Sequence, residues 1–303
     1  MNKPRPMVEV KGLSRDYGNN HALDGIDFTA GPGRVYGLVG ANGAGKTTLL
    51  KHLLGLLRPQ AGTVRVFGED PVRHPERVLK RVGYLSEMRD MPDWMRISEF
   101  LRYLQAFHPT WDMKFAYELV DTFKLDPSRK ISALSQGMRA QTGIIAALAH
   151  RPELLILDEP SNGLDAVVRL DIIDAVIRTV ADEGRCVVFS SHLLDEMERT
   201  CDHVTMIQDG RITFDCDLDT IKETHQFTRV TFAAHQSQPP LLAGALLTQG
   251  GGHSWHMVHE VPLERFRTAI HAAGGEVTES RTATLEEIFL ARAGRSVRHD
   301  KAA

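Results

Sequence analysis

Short apolar runs without a polar break recur along the chain. Those at 35–39, 154–157 and 186–190 have the length of strands that are buried on both faces of a sheet. The first two are followed by polar loops and then by helical periodicity, which predicts helices over 46–57 and from residue 165 to about 182. Buried strands that alternate with amphipathic helices predict an α/β core around a parallel sheet.

Alternating patterns add smaller elements around this core. Strands are expected at 7–13 and 21–29, joined by a turn over 15–20, so an antiparallel sheet precedes the core. The remaining elements are a strand at 63–67, a short helix at 75–81, a strand at 82–86, and a hairpin of 204–208 and 211–214 around Asp209-Gly210.

The stretch from about residue 88 to 150 is rich in helical patterns and poor in strand patterns. Helical spacing recurs at 97–107 and 115–125, and a third helix is expected from Leu134 to His150 with Ser135 as its N-cap. We therefore predict a helical insertion. Its first segment is unusually apolar for a loop, and core packing and docking of a partner explain these side chains equally well. They are Met88, Met91, Trp94 and Met95.

The composition shifts again from about residue 225. Strand patterns at 226–233 and 254–261 are followed by helical patterns at 263–272 and 285–292. This region predicts a small α+β appendage without a catalytic motif. We expect two domains, a larger one over residues 7–220 and an accessory domain over residues 225–303.

The glycine-rich stretch Gly40 to Thr48, called the phosphate loop here, lies between a predicted strand and a predicted helix. It fits the pattern G-x-x-x-x-G-K-[ST] in the context that this pattern requires. Glycines let backbone N–H groups converge on a polyphosphate, and the positive end of the following helix dipole points at the same anion. Lys46 would then reach the β- and γ-phosphates, and the Thr47 hydroxyl would ligate Mg²⁺.

Two acids follow the buried strand at 154–157. Ligand sites of parallel sheets lie at the carboxyl ends of the strands, so Asp158 is placed to hold the Mg²⁺ that Thr47 also holds. Glu159 is placed to orient and polarise an attacking water. Capping of the next helix is the alternative explanation for both acids.

Three further side chains lie near the predicted site, and each has a structural explanation. Tyr17 lies on a turn that could fold over a bound base, or it is a packed tyrosine. Asp165 is fully explained as an N-cap. His192 follows the strand at 186–190 and could bond a γ-phosphate, although a histidine at a strand end is more often structural.

Composition narrows the classes of protein to consider. Hydrophobic residues make up 42% and charged residues 25%, which is ordinary for a soluble globular protein, and the net charge of −3 argues against a dedicated nucleic-acid binder. Cys186, Cys201 and Cys216 have no disulfide or zinc spacing. We expect neither a signal peptide nor a membrane span, and therefore a cytoplasmic chain that touches a membrane only through a partner.

Taken in order, the motifs resemble those of an ATP-binding cassette, the nucleotide-binding subunit of bacterial export-type ABC transporters. The phosphate loop corresponds to Walker A and residues 154–159 to Walker B. Residues 134–138 resemble the family's signature, 161–165 its D-loop, and His192 its switch histidine. Two departures stand out: Glu87 occupies the usual Q-loop glutamine position, and Gln136 and Met138 alter the signature.

The resemblance implies roles for these residues. Lys46, Glu159 and His192 would be catalytic, Glu87 would couple nucleotide state to the insertion, and Ser135, Gly137 and Asp165 would contact ATP on a second protomer. Metal contacts would come from Thr47, Asp158 and Glu87. ATP would be bound by Tyr17, Asn42, Gly43, Ala44, Gly45, Lys46, Thr47 and Thr48.

The resemblance also implies a fold and a function. The fold would be α/β, a P-loop NTPase (RecA-like) core with an antiparallel β subdomain and a helical insertion, plus the appendage. The chain would hydrolyse ATP with Mg²⁺ while pairing head to tail, as a homodimer or heterodimer, and would power a separate integral-membrane permease from the cytoplasmic face. A soluble ABC ATPase acting on ribosomes or DNA is the alternative, and a P-loop kinase or GTPase is disfavoured.

Overall fold

The chain is described by a computed structural model, which covers residues 6–165, 168–169, 172–173 and 184–299. It forms two compact units that divide between Asp215 and Cys216. The helix expected from residue 165 to about 182 falls largely outside the described residues.

Two sheets make up the first unit. One is three-stranded in the order β2-β1-β4, and the other is six-stranded in the order β5-β6-β7-β3-β8-β9. The strands are β1 (Val8–Tyr17), β2 (Asn20–Ala30), β3 (Arg34–Val39), β4 (Ala61–Val66), β5 (Val82–Leu85), β6 (Leu154–Asp158), β7 (Cys186–Ser191), β8 (His203–Gln208) and β9 (Arg211–Asp217).

The small sheet is antiparallel, and β5, β6, β7, β3 and β8 are parallel neighbours, as the patterns predict. The carboxyl ends of β3, β6 and β7 consequently meet at one edge. β8 and β9 are joined at Asp209 and Gly210, whose φ values of 49° and 74° suit the tight hairpin turn that this dipeptide predicts. The turn before β2 is shorter than expected, because β1 continues to Tyr17, which pairs with Asn20.

The helices of the first unit surround the large sheet or form the insertion. They are α1 (Lys46–Leu53), α2 (Pro75–Leu79), α3 (Ile97–Gln105), α4 (Met113–Thr122), α5 (Gln136–Leu148) and α6 (Leu194–Thr200). The predicted helical insertion is confirmed as α3, α4 and α5 with a short 3₁₀ turn at Ile131–Ala133.

Several helix ends differ from the prediction for local reasons. α1 stops at Leu53 rather than at residue 57 because Gly55 adopts φ +71°, and a Cβ there would lie 2.3 Å from the Pro71 carbonyl oxygen. α4 begins at Met113 because the Asp112 carboxylate accepts a hydrogen bond of 2.9 Å from the Phe115 N–H. Helix α6 was not indicated by the sequence pattern.

The second unit combines an antiparallel sheet with helices. Its elements are α7 (Leu218–Thr224), β10 (Gln226–Gln236), β11 (Ala245–His259), α8 (Leu263–Ala272), β12 (Gly275–Thr282) and α9 (Leu285–His299). The sheet order is β11-β10-β12. Its core contains the side chains of Val230, Phe232, Trp255, Met257, Phe266 and Ile270. Strand β12 was not predicted, because its residues are mostly polar on both faces.

None of the helices that the structure describes is both long and apolar enough to cross a membrane. The three cysteines are free thiols. Burial raises the pKa of the Cys186 thiol to about 12, so this side chain acts as an apolar part of β7.

His150 ties the helical insertion to the sheet. Its Nε2 lies 3.2 Å from the Val82 carbonyl oxygen, and its ring stacks on His108 at 4.1 Å between centroids. The side chain is buried. Burial, and then the neighbouring His108, lower the pKa of His150 to about 4.

This histidine should make the chain less stable in acid. Its pKa is about 4 when folded and 6.5 when unfolded, so the unfolded chain binds more protons between these values. The free energy of unfolding should therefore fall as the pH drops below the unfolded pKa, and His150 should account for a loss of ~2 kcal/mol by pH 5.

Urea unfolding at pH 7 and pH 5 measures this loss. His150→Gln should remove it, and His74→Gln, a surface control, should not. The same pH dependence in His150→Gln and in the unmodified chain would contradict the assignment.

Candidate functional site

The phosphate loop connects β3 to α1 and folds around its own lysine. The Lys46 ammonium donates to the carbonyl oxygens of Gly40 at 2.6 Å and Ala41 at 3.3 Å, and the side chain is only 5% exposed. Gly45 adopts φ +114°, and a Cβ there would lie 2.4 Å from the Ala22 carbonyl oxygen. The loop therefore requires glycine at this position and packs directly on β2.

Thr47 and Asp158 come together at the carboxyl edge of the large sheet. The Thr47 hydroxyl donates to Asp158 Oδ1 at 3.0 Å, and the Ser190 hydroxyl donates to the same oxygen at 2.7 Å. Asp158 is buried at the end of β6, beside Ser190 on β7. A hydroxyl and a carboxylate are hard oxygen ligands, which suit Mg²⁺. The described residues contain no group of three His, Cys, Asp or Glu side chains that could hold a metal ion.

Glu159 lies between two nitrogen groups. Its Oε1 is 3.0 Å from the Lys46 ammonium and its Oε2 is 2.8 Å from His192 Nδ1. Its backbone N–H donates to the Ser190 hydroxyl at 2.9 Å. The residue adopts φ +47°, a left-handed conformation that costs on the order of 1 kcal/mol outside glycine. Both acids thus contact the phosphate loop and its surroundings, which disfavours helix capping as their role.

The Ser190 hydroxyl therefore contacts both acids: it accepts a hydrogen bond from the Glu159 backbone N–H and donates one to the Asp158 carboxylate. Sequence reasoning did not indicate this role. The available signal was a pair of hydroxyl residues, Ser190 and Ser191, at the end of an apolar strand.

Glu196 on α6 forms a second buried network that the sequence did not indicate. The Ser161 and Ser191 hydroxyls donate to its Oε2 at 2.6 and 3.2 Å, and Arg169 Nε lies 3.1 Å from its Oε1. Burial raises the pKa of Glu196 above its ordinary value, although its hydrogen bonds and Arg169 oppose this shift. The network joins the segment after Glu159 to the residue before His192.

Tyr17 lies on the hairpin next to the phosphate loop. The residue is 46% exposed, and the Arg15 guanidinium lies 5.0 Å from the centroid of its ring. It pairs with Asn20 in the strand that continues to Ala22, against which Gly45 packs. The hairpin that carries Tyr17 therefore contacts the phosphate loop at Ala22, and the loop residues Asn42 and Gly43 are exposed.

Ser135, Gly137 and Asp165 lie elsewhere. The Ser135 hydroxyl caps α5 by accepting from the Met138 N–H at 3.2 Å, which confirms the predicted N-cap. Asp165 accepts from the Val168 N–H at 3.0 Å, as the N-cap explanation predicts. Among the described residues, neither Ser135 nor Gly137 is hydrogen-bonded to the phosphate loop.

Glu87 contacts the segment after Glu159 rather than the metal-binding pair. Its Oε1 accepts a hydrogen bond of 3.2 Å from the Asn162 side chain. Among the described residues, it shares no hydrogen bond with Thr47 or Asp158.

A groove of about 420 Å³ lies between β5 and the helices α3 and α5. Its lining includes Tyr84, Leu85, Met91, Phe100, Leu104 and Gly143. Of the four apolar side chains in the first segment of the insertion, only Met91 lines this groove, and the four divide between core packing and exposure. Met95 is buried and Met91 packs on the same cluster, whereas Met88 and Trp94 are 76% and 72% exposed.

Comparison with known proteins agrees with this geometry. The ABC transporter family model matches residues 23–162. The chain is 32% identical over 259 residues to the daunorubicin/doxorubicin resistance ATP-binding protein DrrA of Streptomyces peucetius, covering 84% of this chain and 78% of the relative. It is 30% identical over 310 residues to the Nod factor export ATP-binding protein I of Ralstonia nicotianae, covering 97% and 95% of the two chains.

A solved ATP-binding subunit of an ABC transporter superposes with a TM-score of 0.66 at 28% identity, covering 72% of this chain and 92% of the other. The P-loop NTPase fold predicted from the sequence is confirmed. The phosphate loop, the acids at the end of β6 and these relatives lead to one conclusion: the chain belongs to the export-type ATP-binding subunits of ABC transporters.

Proposed function

We propose that the chain hydrolyses ATP to ADP and phosphate at the phosphate loop. The observation that carries this proposal is the position of the Glu159 carboxylate, which is buried between the Lys46 ammonium and His192 Nδ1. A carboxylate in such a place can accept a proton from water beside a γ-phosphate.

Binding of ATP changes the partner of Lys46. A triphosphate in the phosphate loop competes with Glu159 for the ammonium group, because both are anions. Once Lys46 turns to the phosphates, Glu159 keeps His192 and is released from its ion pair, so that it can accept a proton. Thr47 and Asp158 would hold Mg²⁺, which when bound neutralises phosphate charge.

A second protomer would complete the site. The phosphate loop covers one side of the nucleotide, and a second helix N-terminus would supply donors to the other side. The N-terminus of α5, with Ser135 and Gly137, is suited to this role because Ser135 is exposed. Asp165 would lie at the same interface. Tyr17 would stack on the adenine, and the pairing would be homo- or heterodimeric.

The partner that uses this cycle would be an integral-membrane permease on whose cytoplasmic face the chain sits. The groove, which Met91 lines, and the exposed Met88 and Trp94 support this, since exposed Trp and Met side chains are typical of protein interfaces. Glu87 would couple the groove to the nucleotide through Asn162. Residues 7–220 would act as the ATPase domain and residues 225–303 as an accessory domain.

Glu159→Gln should bind ATP yet release phosphate about a hundredfold more slowly or worse, because the amide cannot accept the proton. Phosphate release at saturating ATP measures this loss. Glu153→Gln removes an exposed carboxylate at the other end of β6 and should change the rate by less than about twofold. Near-normal turnover by Glu159→Gln would exclude it as the base.

Ser135→Arg should leave ATP binding by the single chain intact while weakening the ATP-bound dimer more than about tenfold, because a cation and its bulk enter the interface. Sedimentation of Glu159→Gln chains with ATP, with and without Ser135→Arg, measures dimerisation. The same substitution at the neighbouring exposed Ser132 is the control. If Ser135→Arg dimerises as well as this control, the two-chain site is wrong.

Trp94→Ala should weaken capture of an integral-membrane protein from the native cell by roughly thirtyfold, as for an interface hot spot. Phe107→Ala, which truncates an aromatic residue that is 61% exposed elsewhere on the insertion, should not. Quantitative co-purification from detergent-solubilised membranes makes the comparison. Recovery of ribosomes or nucleic acid in place of a membrane protein would refute the transport role.

A further inference from the structure

Arg89 occupies a tight turn between β5 and the helical insertion. Its backbone N–H donates to the Ser86 carbonyl at 3.1 Å and lies 3.2 Å from the Ser86 hydroxyl. Its φ of 50° is left-handed, which is uncommon for arginine. The residue is only 8% exposed. The turn therefore directs a long cationic side chain into the protein.

The guanidinium group of Arg89 binds the segment that follows Glu159. One terminal nitrogen donates to the carbonyl oxygens of Pro160 at 3.1 Å and of Asn162 at 2.7 Å. The Asn162 amide in turn donates to Glu87 beside Arg89. The turn at 86–89 and the segment at 160–162 are thus connected in both directions.

These carbonyls are the main compensation for a buried charge. No carboxylate of the described residues lies within 4.0 Å of the Arg89 guanidinium as an ion pair. Burial lowers the pKa of Arg89, and the more distant charge of Glu87 opposes this effect. Because an uncompensated buried cation is costly, the guanidinium and the two carbonyls hold each other in place.

The same contacts constrain Glu159. On one side the Ser190 hydroxyl holds its backbone N–H, and on the other side Arg89 holds the carbonyl of the next residue, Pro160. Glu159 itself is in the left-handed conformation, which persists only where surrounding contacts enforce it. Without Arg89 the downstream anchor is lost.

We propose that Arg89 is a positioning residue that fixes the Glu159 loop, residues 159–165, in the geometry for hydrolysis. It acts through the carbonyl oxygens of Pro160 and Asn162. Arg89 also lines the groove, as Met91 does. A partner bound in the groove could therefore contact the same side chain that holds the Glu159 loop. The role in hydrolysis rests on the proposed function.

Three variants of the full chain test the role of Arg89. Arg89→Met keeps the length of the side chain but removes its donors, and Arg89→Lys keeps a charged donor. Arg81→Met is the matched control, because it removes an arginine that joins β5 to β6 through Glu153 at the opposite end of these strands. The measurements are kcat and KM for ATP, and hydrogen exchange of the backbone amides at 159–165.

Arg89→Met should lower kcat by about tenfold or more with KM changed by less than about twofold, because binding is intact and the base is misplaced. Exchange at 159–165 should become faster in this variant and not in Arg81→Met. Arg89→Lys should return both quantities toward the unmodified chain. If Arg89→Met does not fold, Arg89→Gln, which is shorter and uncharged, takes its place with the same expected results.

Unchanged exchange at 159–165 in Arg89→Met, or a fall in kcat no larger than in Arg81→Met, would overturn the proposal. Failure of the proposed function would be distinct: the unmodified chain would release no phosphate from ATP. The exchange measurement requires no turnover, so it would still decide whether Arg89 holds the loop.

Discussion

The site depends on how three buried charges are compensated. Lys46, Asp158 and Glu159 are each at most 5% exposed, and a charge so far from water must be matched by nearby partners. Lys46 is matched by loop carbonyls and Glu159, and Asp158 by hydroxyl groups. Since the partners come from different strands and loops, the charges can be buried only when the whole edge of the sheet is assembled.

The parallel sheet is what brings these partners together. β7 lies between β3 and β6, so one serine on β7 reaches the acids at the end of β6 while the loop after β3 approaches from the other side. The ion pair between Lys46 and Glu159 also means that an anionic substrate bound in the phosphate loop would change the surroundings of Glu159. In the proposed mechanism, a triphosphate offers Lys46 a competing anion, and Glu159, released from that ion pair, can then accept a proton.

Much of this could be predicted from the sequence because it rests on local patterns. The phosphate loop, the acids after a buried strand and the helical insertion are each encoded by contiguous residues. The pairing of Ser190 with both acids, the Glu196 network and the contact of Arg89 with Pro160 and Asn162 join residues far apart in the chain. Such contacts depend on strand order and on backbone conformation, as with the left-handed Glu159. Strand β12 escaped prediction for a related reason, since pairing with β10 rather than hydrophobic alternation makes it a strand.

The central claim is that this edge of the sheet uses Mg²⁺ to hydrolyse ATP. Release of orthophosphate from ATP by the purified full chain, measured in excess Mg²⁺ and again in EDTA, tests it most directly. The account predicts continuous release with Mg²⁺ and none beyond the uncatalysed background in EDTA. A chain that binds ATP with Mg²⁺ but releases phosphate no faster than in EDTA would contradict it.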